Sequence, residues 1–265
     1  MYDFNYHKPA SIEEAVKLFG SAEDGVYLAG GHTLLPTMKQ RLAAPTDLID
    51  LAGISSLSGV NSIGENLEIG ALTPHEEVAA SPVVASVIPA LANLASGIGD
   101  AQVRNRGTIG GSVANSDPAA DYPAAVLGLA AEIVTNQRSI AADDFFTGMF
   151  ETALDEGELI AMIKFPRPEA AAYIKFPNPA SRYATVGVFI TKTGQGVRVA
   201  ITGAAPSVFR SLEMEQALEA DFSVAALEDI SLDHTDMNSD LHATAEYRAH
   251  LCTVMAKRAV AEITG

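Results

Sequence analysis

The sequence has almost no cysteine. Cys252 is the only one in 265 residues. The chain can therefore form no internal disulfide, and by itself it cannot ligate an iron–sulfur cluster or a Cys-based zinc site. The neighbours of this residue, Ala249-His250-Leu251-Cys252-Thr253-Val254-Met255, read as an apolar helix face, which predicts an inert core thiol. Basic residues are also scarce: 17 Lys and Arg stand against 33 Asp and Glu, a formal net charge of −16. Nucleic acid and anionic membranes are held mainly by Lys and Arg, so both are disfavoured as partners. No apolar run reaches the roughly 18 residues that read as a membrane span. The N-terminal segment MYDFNYHKPAS lacks the apolar core of a signal peptide, and a cytoplasmic location is expected. GxGxxG and GxxxxGK[ST] are both missing, which disfavours a Rossmann NAD site and a P-loop. His234, His242 and His250 have no ligand spacing with a cysteine or a carboxylate pair, so no metal site is expected.

What is present is a chain with 48% hydrophobic residues, enough for a sizeable core. Ser11-Ile12-Glu13-Glu14 is a capping box that opens a helix. Val26 to Ala29 reads as a short strand that stops at Gly30-Gly31, and Thr33 is placed to cap a helix carrying Leu34, Leu35, Met38 and Leu42. Strands are predicted at Asp47 to Leu51, Leu67 to Ala71 and Glu132 to Thr135. Thr73-Pro74-His75-Glu76 is a second capping box with proline at the first helical position, and Ser81 to Ser96 reads as one helix. Short strands and helices alternate through about residue 165, which argues for a mixed α/β or α+β class. Composition changes at Phe165-Pro166-Arg167-Pro168, and a domain boundary is placed there. Beyond it, Ala184 to Thr193 and Val197 to Thr202 are β-rich and joined by Gly194-Gln195-Gly196, a hairpin signal. From Ser207 the pattern is helical, ending in a long helix from about Ala243 to Ile263.

Two glycine-rich loops carry the chemistry. Ala29-Gly30-Gly31-His32-Thr33 follows a strand and precedes a helix; Thr108-Ile109-Gly110-Gly111-Ser112 lies in GTIGGSVANSDPAAD. Backbone N–H groups at such loops bind phosphate oxygens, and glycine removes the Cβ that would hold the phosphate away. The hydroxyls of Thr33, Thr108 and Ser112 can add donors. Two such loops suit a pyrophosphate held from both sides.

AGGHTLLPTMK, QVRNRGTIGGSVANSDPAADYPAA and SDLHATAEYRAHL, in this order, resemble the FAD-binding medium subunit of molybdenum hydroxylases. That family includes aerobic carbon monoxide dehydrogenase and xanthine dehydrogenase. The resemblance covers essentially the whole chain. It implies an α+β fold: a vanillyl-alcohol-oxidase-like FAD-binding domain over residues 1–166, with subdomains of about 1–54 and 55–166, then a C-terminal α+β domain over 167–265.

The resemblance also implies roles. Ala29, Gly30, Gly31, His32 and Thr33 match the first pyrophosphate loop, and Thr108, Ile109, Gly110, Gly111 and Ser112 the second. Asn115 and Asp121 match positions that contact the flavin nucleotide. Asp121 is expected on the sugar side, where a carboxylate can accept from a hydroxyl instead of repelling phosphate. Leu159 and Ile160 match a segment that packs on the flavin, and Tyr183 lies in a stretch near its ring. FAD is implied to be non-covalently bound, with backbone contact at His32. Arg104 and Arg106 either offset pyrophosphate charge or face a partner. Tyr247 and Arg248 are expected to pack and cap the domain interface, and Asp117 to be a turn residue before Pro118. Molybdenum–pterin and two [2Fe–2S] clusters are implied in large and small partner subunits, with the heterotrimer pairing into a dimer of trimers. The substrate and the final electron acceptor stay open. Two other readings use the same fold. A stand-alone flavin oxidase would need its own acid–base residues, which the sequence does not offer. A flavin-free scaffold is opposed by the intact glycine loops.

Overall fold

The Ser11 hydroxyl accepts the Glu14 N–H (3.2 Å), and the Glu14 carboxylate accepts the Ala10 N–H (2.8 Å). The predicted capping box thus forms, its return arm displaced by one residue, and it starts helix Ile12–Ser21. In the computed structural model, which describes residues 1–265, this helix packs on a three-stranded parallel sheet. The strand order is Asn5–His7, Asp47–Asp50, Gly25–Leu28.

A second sheet has five antiparallel strands in the order Val60–Ile63, Asn66–Gly70, Ile160–Pro166, Glu132–Thr135, Ser139–Ala141. Leu67, Ile69, Ile133, Ile163 and Phe165 turn inward at the two-residue period of a half-buried sheet. They join a core that includes Leu91 and Leu94 of helix Pro89–Ser96 and Tyr122, Ala124, Ala125, Val126 and Leu127 of helix Tyr122–Gly128.

Three local expectations fail in the N-terminal half. Ser81 to Ser96 is two helices, Pro82–Val87 and Pro89–Ser96, broken at Ile88 (φ −139°). Pro89 has no N–H to continue the first helix and disfavours helical backbone at Ile88. Thr73 caps nothing: its buried hydroxyl bonds the N–H (3.0 Å) and carbonyl (3.1 Å) of Gly59, while Glu76 pairs with Arg104 (2.8 Å). Thr33 has helical backbone and gives helix Leu34–Lys39 no side-chain cap.

The C-terminal part is a four-stranded antiparallel sheet in the order Ala170–Pro177, Ala184–Thr193, Gly196–Thr202, Phe209–Arg210. The predicted hairpin closes between Thr193 and Gly196. Helices Leu212–Ala220 and Ala245–Thr264 pack on it. Between them the chain is mostly irregular where helix was expected, because its run of Asp, Ser, Asn and His from Asp229 to His242 offers no 3.6-residue apolar period. Strand Ala184–Thr193 is buried from Ala184 through Thr191. Val186, Val188 and Ile190 join the core that holds Cys252 and Met255, whereas Phe189 joins the core of the five-stranded sheet.

Arg248 is buried at this junction. Its Nη1 donates to the carbonyls of Thr185 (2.6 Å) and Gly203 (2.9 Å), and its Nη2 to Asp240 (2.7 Å). Tyr247 meets Phe176 edge-on at 6.2 Å between ring centroids. Burial pushes the Cys252 thiol up to about 12. No helix is long and apolar enough to cross a membrane.

Candidate functional site

A cleft of about 780 Å³ lies where the parallel sheet, the five-stranded sheet and the segment before strand Ala184–Thr193 meet. This is within the range of small-molecule and cofactor sites, roughly 300–1,000 Å³. Every site residue expected from the sequence lines it except Ile109. Ile109 is fully buried in the core, and its N–H donates to the Thr73 carbonyl (3.1 Å).

The first loop presents free donors. The N–H groups of Ala29, Gly30, Gly31, His32 and Thr33 make no hydrogen bond within the chain. Gly31 takes φ +77°, which L side chains rarely adopt, and so turns the chain out of strand Gly25–Leu28. Gly30 lies against the second loop: a Cβ there would come within 2.1 Å of the Arg106 carbonyl oxygen. Its lack of a side chain therefore serves contact between the loops, whereas the sequence suggested contact with phosphate.

The second loop is more occupied than its glycines suggested. Thr108 caps helix Ile109–Asn115, its hydroxyl accepting the Gly111 N–H (3.2 Å). The Gly110 N–H donates to Ala71 (2.8 Å), and the Ser112 N–H to Thr108 (3.0 Å). The Thr108 N–H remains without a partner in the chain, and so do the Ser112 hydroxyl and the Asn115 amide. Gly111 keeps the wall clear beside Thr108 and Ala29.

The cleft also contains acids. Asp121 is 4% exposed, and its Oδ1 accepts from the Tyr173 hydroxyl (2.6 Å) and lies 2.9 Å from Lys175 Nζ. Burial raises its carboxyl above the ordinary value, against the opposing pull of Lys175 and Tyr173. One oxygen of Asp121 is thus committed to the C-terminal sheet, not to a ligand hydroxyl. Glu158, a lining residue the sequence did not single out, is held by Arg138 (3.0 and 3.1 Å), the Thr135 hydroxyl (2.6 Å) and the Asp155 N–H (2.8 Å). Burial works to raise its pKa, but these partners outweigh it and hold it below the usual carboxylate range.

Both buried acids therefore carry their own cation, which reduces their repulsion of a diphosphate. Arg182 is the only Lys or Arg among the lining residues, and its Nη1 donates to the Gly99 carbonyl (3.0 Å). An anion here would be met mainly by backbone dipoles. Asp117 forms the expected turn, its Oδ1 accepting the Ala119 N–H (2.9 Å). Arg104 is tied to Glu76 and to the Ile98 carbonyl (3.2 Å). Arg106 has an exposed side chain and does not line the cleft.

Apolar walls complete the cleft. Leu159 and Ile160 are buried, and Tyr183 is 47% exposed at one side. Burial, then Asp117 and Asp121, push the Tyr183 phenol up. Tyr27, also missed in the sequence, lines the cleft, donates to the Gly157 carbonyl (3.0 Å) and stacks on Phe19 at 4.9 Å. Nothing in the spacing of the sequence marks it out from other strand tyrosines. No group of three or more His, Cys, Asp or Glu is placed to hold a metal ion. The free donors, paired acids and apolar walls together fit a long cofactor with a diphosphate and an aromatic end.

Residues 2–168 match the family described as the FAD binding domain in molybdopterin dehydrogenase, and residues 171–263 match the CO dehydrogenase flavoprotein C-terminal domain. The chain is 37% identical to the carbon monoxide dehydrogenase medium chain of Hydrogenophaga pseudoflava, covering 97% of this chain and 96% of that one. It is 34% identical to the nicotine 6-hydroxylase medium subunit of Paenarthrobacter nicotinovorans, again over 97% and 96%. A solved structure of the Hydrogenophaga pseudoflava carbon monoxide dehydrogenase superposes with a TM-score of 0.91 at 37% identity, covering 98% of this chain and 97% of its counterpart. The chain thus belongs to the family of FAD-binding medium chains of molybdopterin dehydrogenases, an oxidoreductase subunit with FAD as its cofactor.

Proposed function

We propose that this chain is the FAD-carrying medium subunit of a heterotrimeric molybdenum hydroxylase. In this reading it takes electrons from [2Fe–2S] clusters of a small partner and passes them to an external acceptor, while a large molybdenum–pterin subunit oxidises the substrate. Two heterotrimers pair in the complete assembly. The observation that carries the reading is the run of five free N–H groups from Ala29 to Thr33 along a cleft whose two buried acids are already paired.

Each part of the cleft has a task. The Ala29–Thr33 loop, the Thr108 N–H and the Ser112 hydroxyl hold the diphosphate. Asn115 and the remaining oxygen of Asp121 meet sugar hydroxyls. Leu159, Ile160 and Tyr183 pack against the ring and exclude water from it. Bound FAD accepts electrons singly or in pairs, which joins one-electron clusters to a two-electron acceptor. The chain's own residues bind and orient; none is assigned as an acid or base. We place the division between the FAD-binding and C-terminal domains at residues 166 and 167.

The relatives' names span carbon monoxide and nicotine, so substrate choice is assigned to the large subunit. The test is to purify the full chain from its source with whatever accompanies it. Flavin released by acid, together with stoichiometric molybdenum and iron, supports the reading. Flavin without either metal points to a stand-alone flavoprotein, and a colourless chain to a scaffold; either would overturn it.

A further inference from the structure

His75 opens helix His75–Ala80 and is only 5% exposed, yet it lines the cleft. Its backbone N–H donates to the Gly107 carbonyl (2.9 Å), tying the helix start to the second loop. Its ring lies against the same loop: a Cβ on Gly107 would come within 2.5 Å of Nε2. The other ring nitrogen, Nδ1, is shut off from solvent with no hydrogen-bond partner. The hydroxyl of Tyr122 is likewise buried without a partner, and the two ring centroids are 5.3 Å apart.

Burial, then the nearby His32 and Arg104, lower the His75 pKa to about 4. The ring is therefore neutral near pH 7 and carries one N–H. A hydrogen on Nδ1 would be a buried donor with no acceptor within hydrogen-bonding distance. A hydrogen on Nε2 leaves Nδ1 as an acceptor, and an unfilled acceptor is the lesser deficit. The geometry favours the Nε2–H tautomer. That donor then stands at the Gly107–Thr108 edge of the cleft, where the Thr108 N–H also lacks a partner.

We propose that His75 is a further FAD-binding residue, its Nε2–H donating to a phosphate oxygen of the cofactor beside the Thr108 N–H. The inference rests on the FAD reading above. Its test uses the full chain with its co-purifying subunits, stripped of flavin and titrated with FAD, ADP and riboflavin. His75→Leu keeps the bulk and removes the donor, whereas His75→Gln returns an amide donor near Nε2. Loss of a hydrogen bond to a charged group corresponds to about a tenfold or greater rise in Kd. That rise is expected for FAD and ADP with His75→Leu, while riboflavin, which has no phosphate, is unchanged. His75→Gln is expected within about threefold of the parent. Unchanged FAD affinity in His75→Leu, or a Gln variant as weak as Leu, would overturn the proposal. Should His75→Leu fail to fold, ¹⁵N shifts of the parent decide: a protonated Nδ1, or an Nε2 signal indifferent to FAD, is equally fatal. A parent chain that takes up no FAD at all would instead defeat the cofactor reading itself.

Discussion

Lys175 on the C-terminal sheet places its Nζ 2.9 Å from the Oδ1 of Asp121, a residue that lines the cleft. The same ammonium donates to the carbonyls of Gly97 (2.8 Å) and Arg182 (3.0 Å), so one cation gathers three segments beside the cleft. Lys175→Met would strand a buried carboxylate and two carbonyls. Breaking one side of a buried pair costs about 3–5 kcal/mol. Asp121→Asn with Lys175→Met removes both charges and is expected to be less destabilised than Lys175→Met alone. Urea unfolding of the three variants measures the difference, and a double variant weaker than both singles would contradict it.

The glycines of the two loops should separate by function. Gly111→Val places its side chain beside Thr108 and Ala29 on the cleft wall, with only a side-chain oxygen in its way (2.8 Å). It is expected to lose most of its flavin and, because the Thr108 cap must shift, about 1 kcal/mol of stability. Gly30→Val drives a Cβ into the Arg106 backbone and should destabilise the fold by about 1–3 kcal/mol as well as losing flavin. Flavin absorbance per chain and thermal melting of both variants provide the comparison.

His75 should give the apo chain a pH dependence. Its pKa falls from 6.5 to about 4 on folding, with burial, His32 and Arg104 as the causes. Between these values the unfolded chain binds more protons than the folded one. Stability from this group is thus complete above about pH 6.5 and is lost as pH falls toward 4. The expected loss between pH 7 and pH 5 is about 2 kcal/mol. His75→Gln should remove that part of the slope. Denaturant midpoints of parent and variant at the two pH values test it.

Cys252 is fully buried, and its thiol is held near 12 by that burial. A thiol-specific reagent at neutral pH is expected to leave it untouched in the native chain and to label it once per chain in denaturant. Rapid labelling of the native protein would show the helix Ala245–Thr264 to be far more open than its packing implies.

The features legible in the sequence were local. Strand, glycine turn and helix follow one another at Gly25–Lys39, and the hairpin after Thr193 is written in Gly194-Gln195-Gly196. What escaped depended on distant partners. Thr73 matched a capping pattern, but Gly59 takes its hydroxyl. The partners of Asp121 are Tyr173 and Lys175, which only the folded C-terminal sheet brings near. Ile109 sits inside a phosphate-loop motif, yet strand pairing between Pro74 and Thr108 commits its N–H to Thr73. His75 gave no signal, because a lone histidine at a helix start is ordinary until Gly107 and Tyr122 are seen against it.

Strand Ala184–Thr193 lends Phe189 to one core and its neighbours Val188 and Ile190 to another. The break between the two matched families, after residue 168, is therefore not a thermodynamic seam. A chain ending there would leave helix Tyr122–Gly128 facing water where Phe189 and Ala200 had covered it. It would also leave the buried Asp121 without Lys175. The two halves are expected to melt together in a thermal scan, and the C-terminal half closes one side of the cleft.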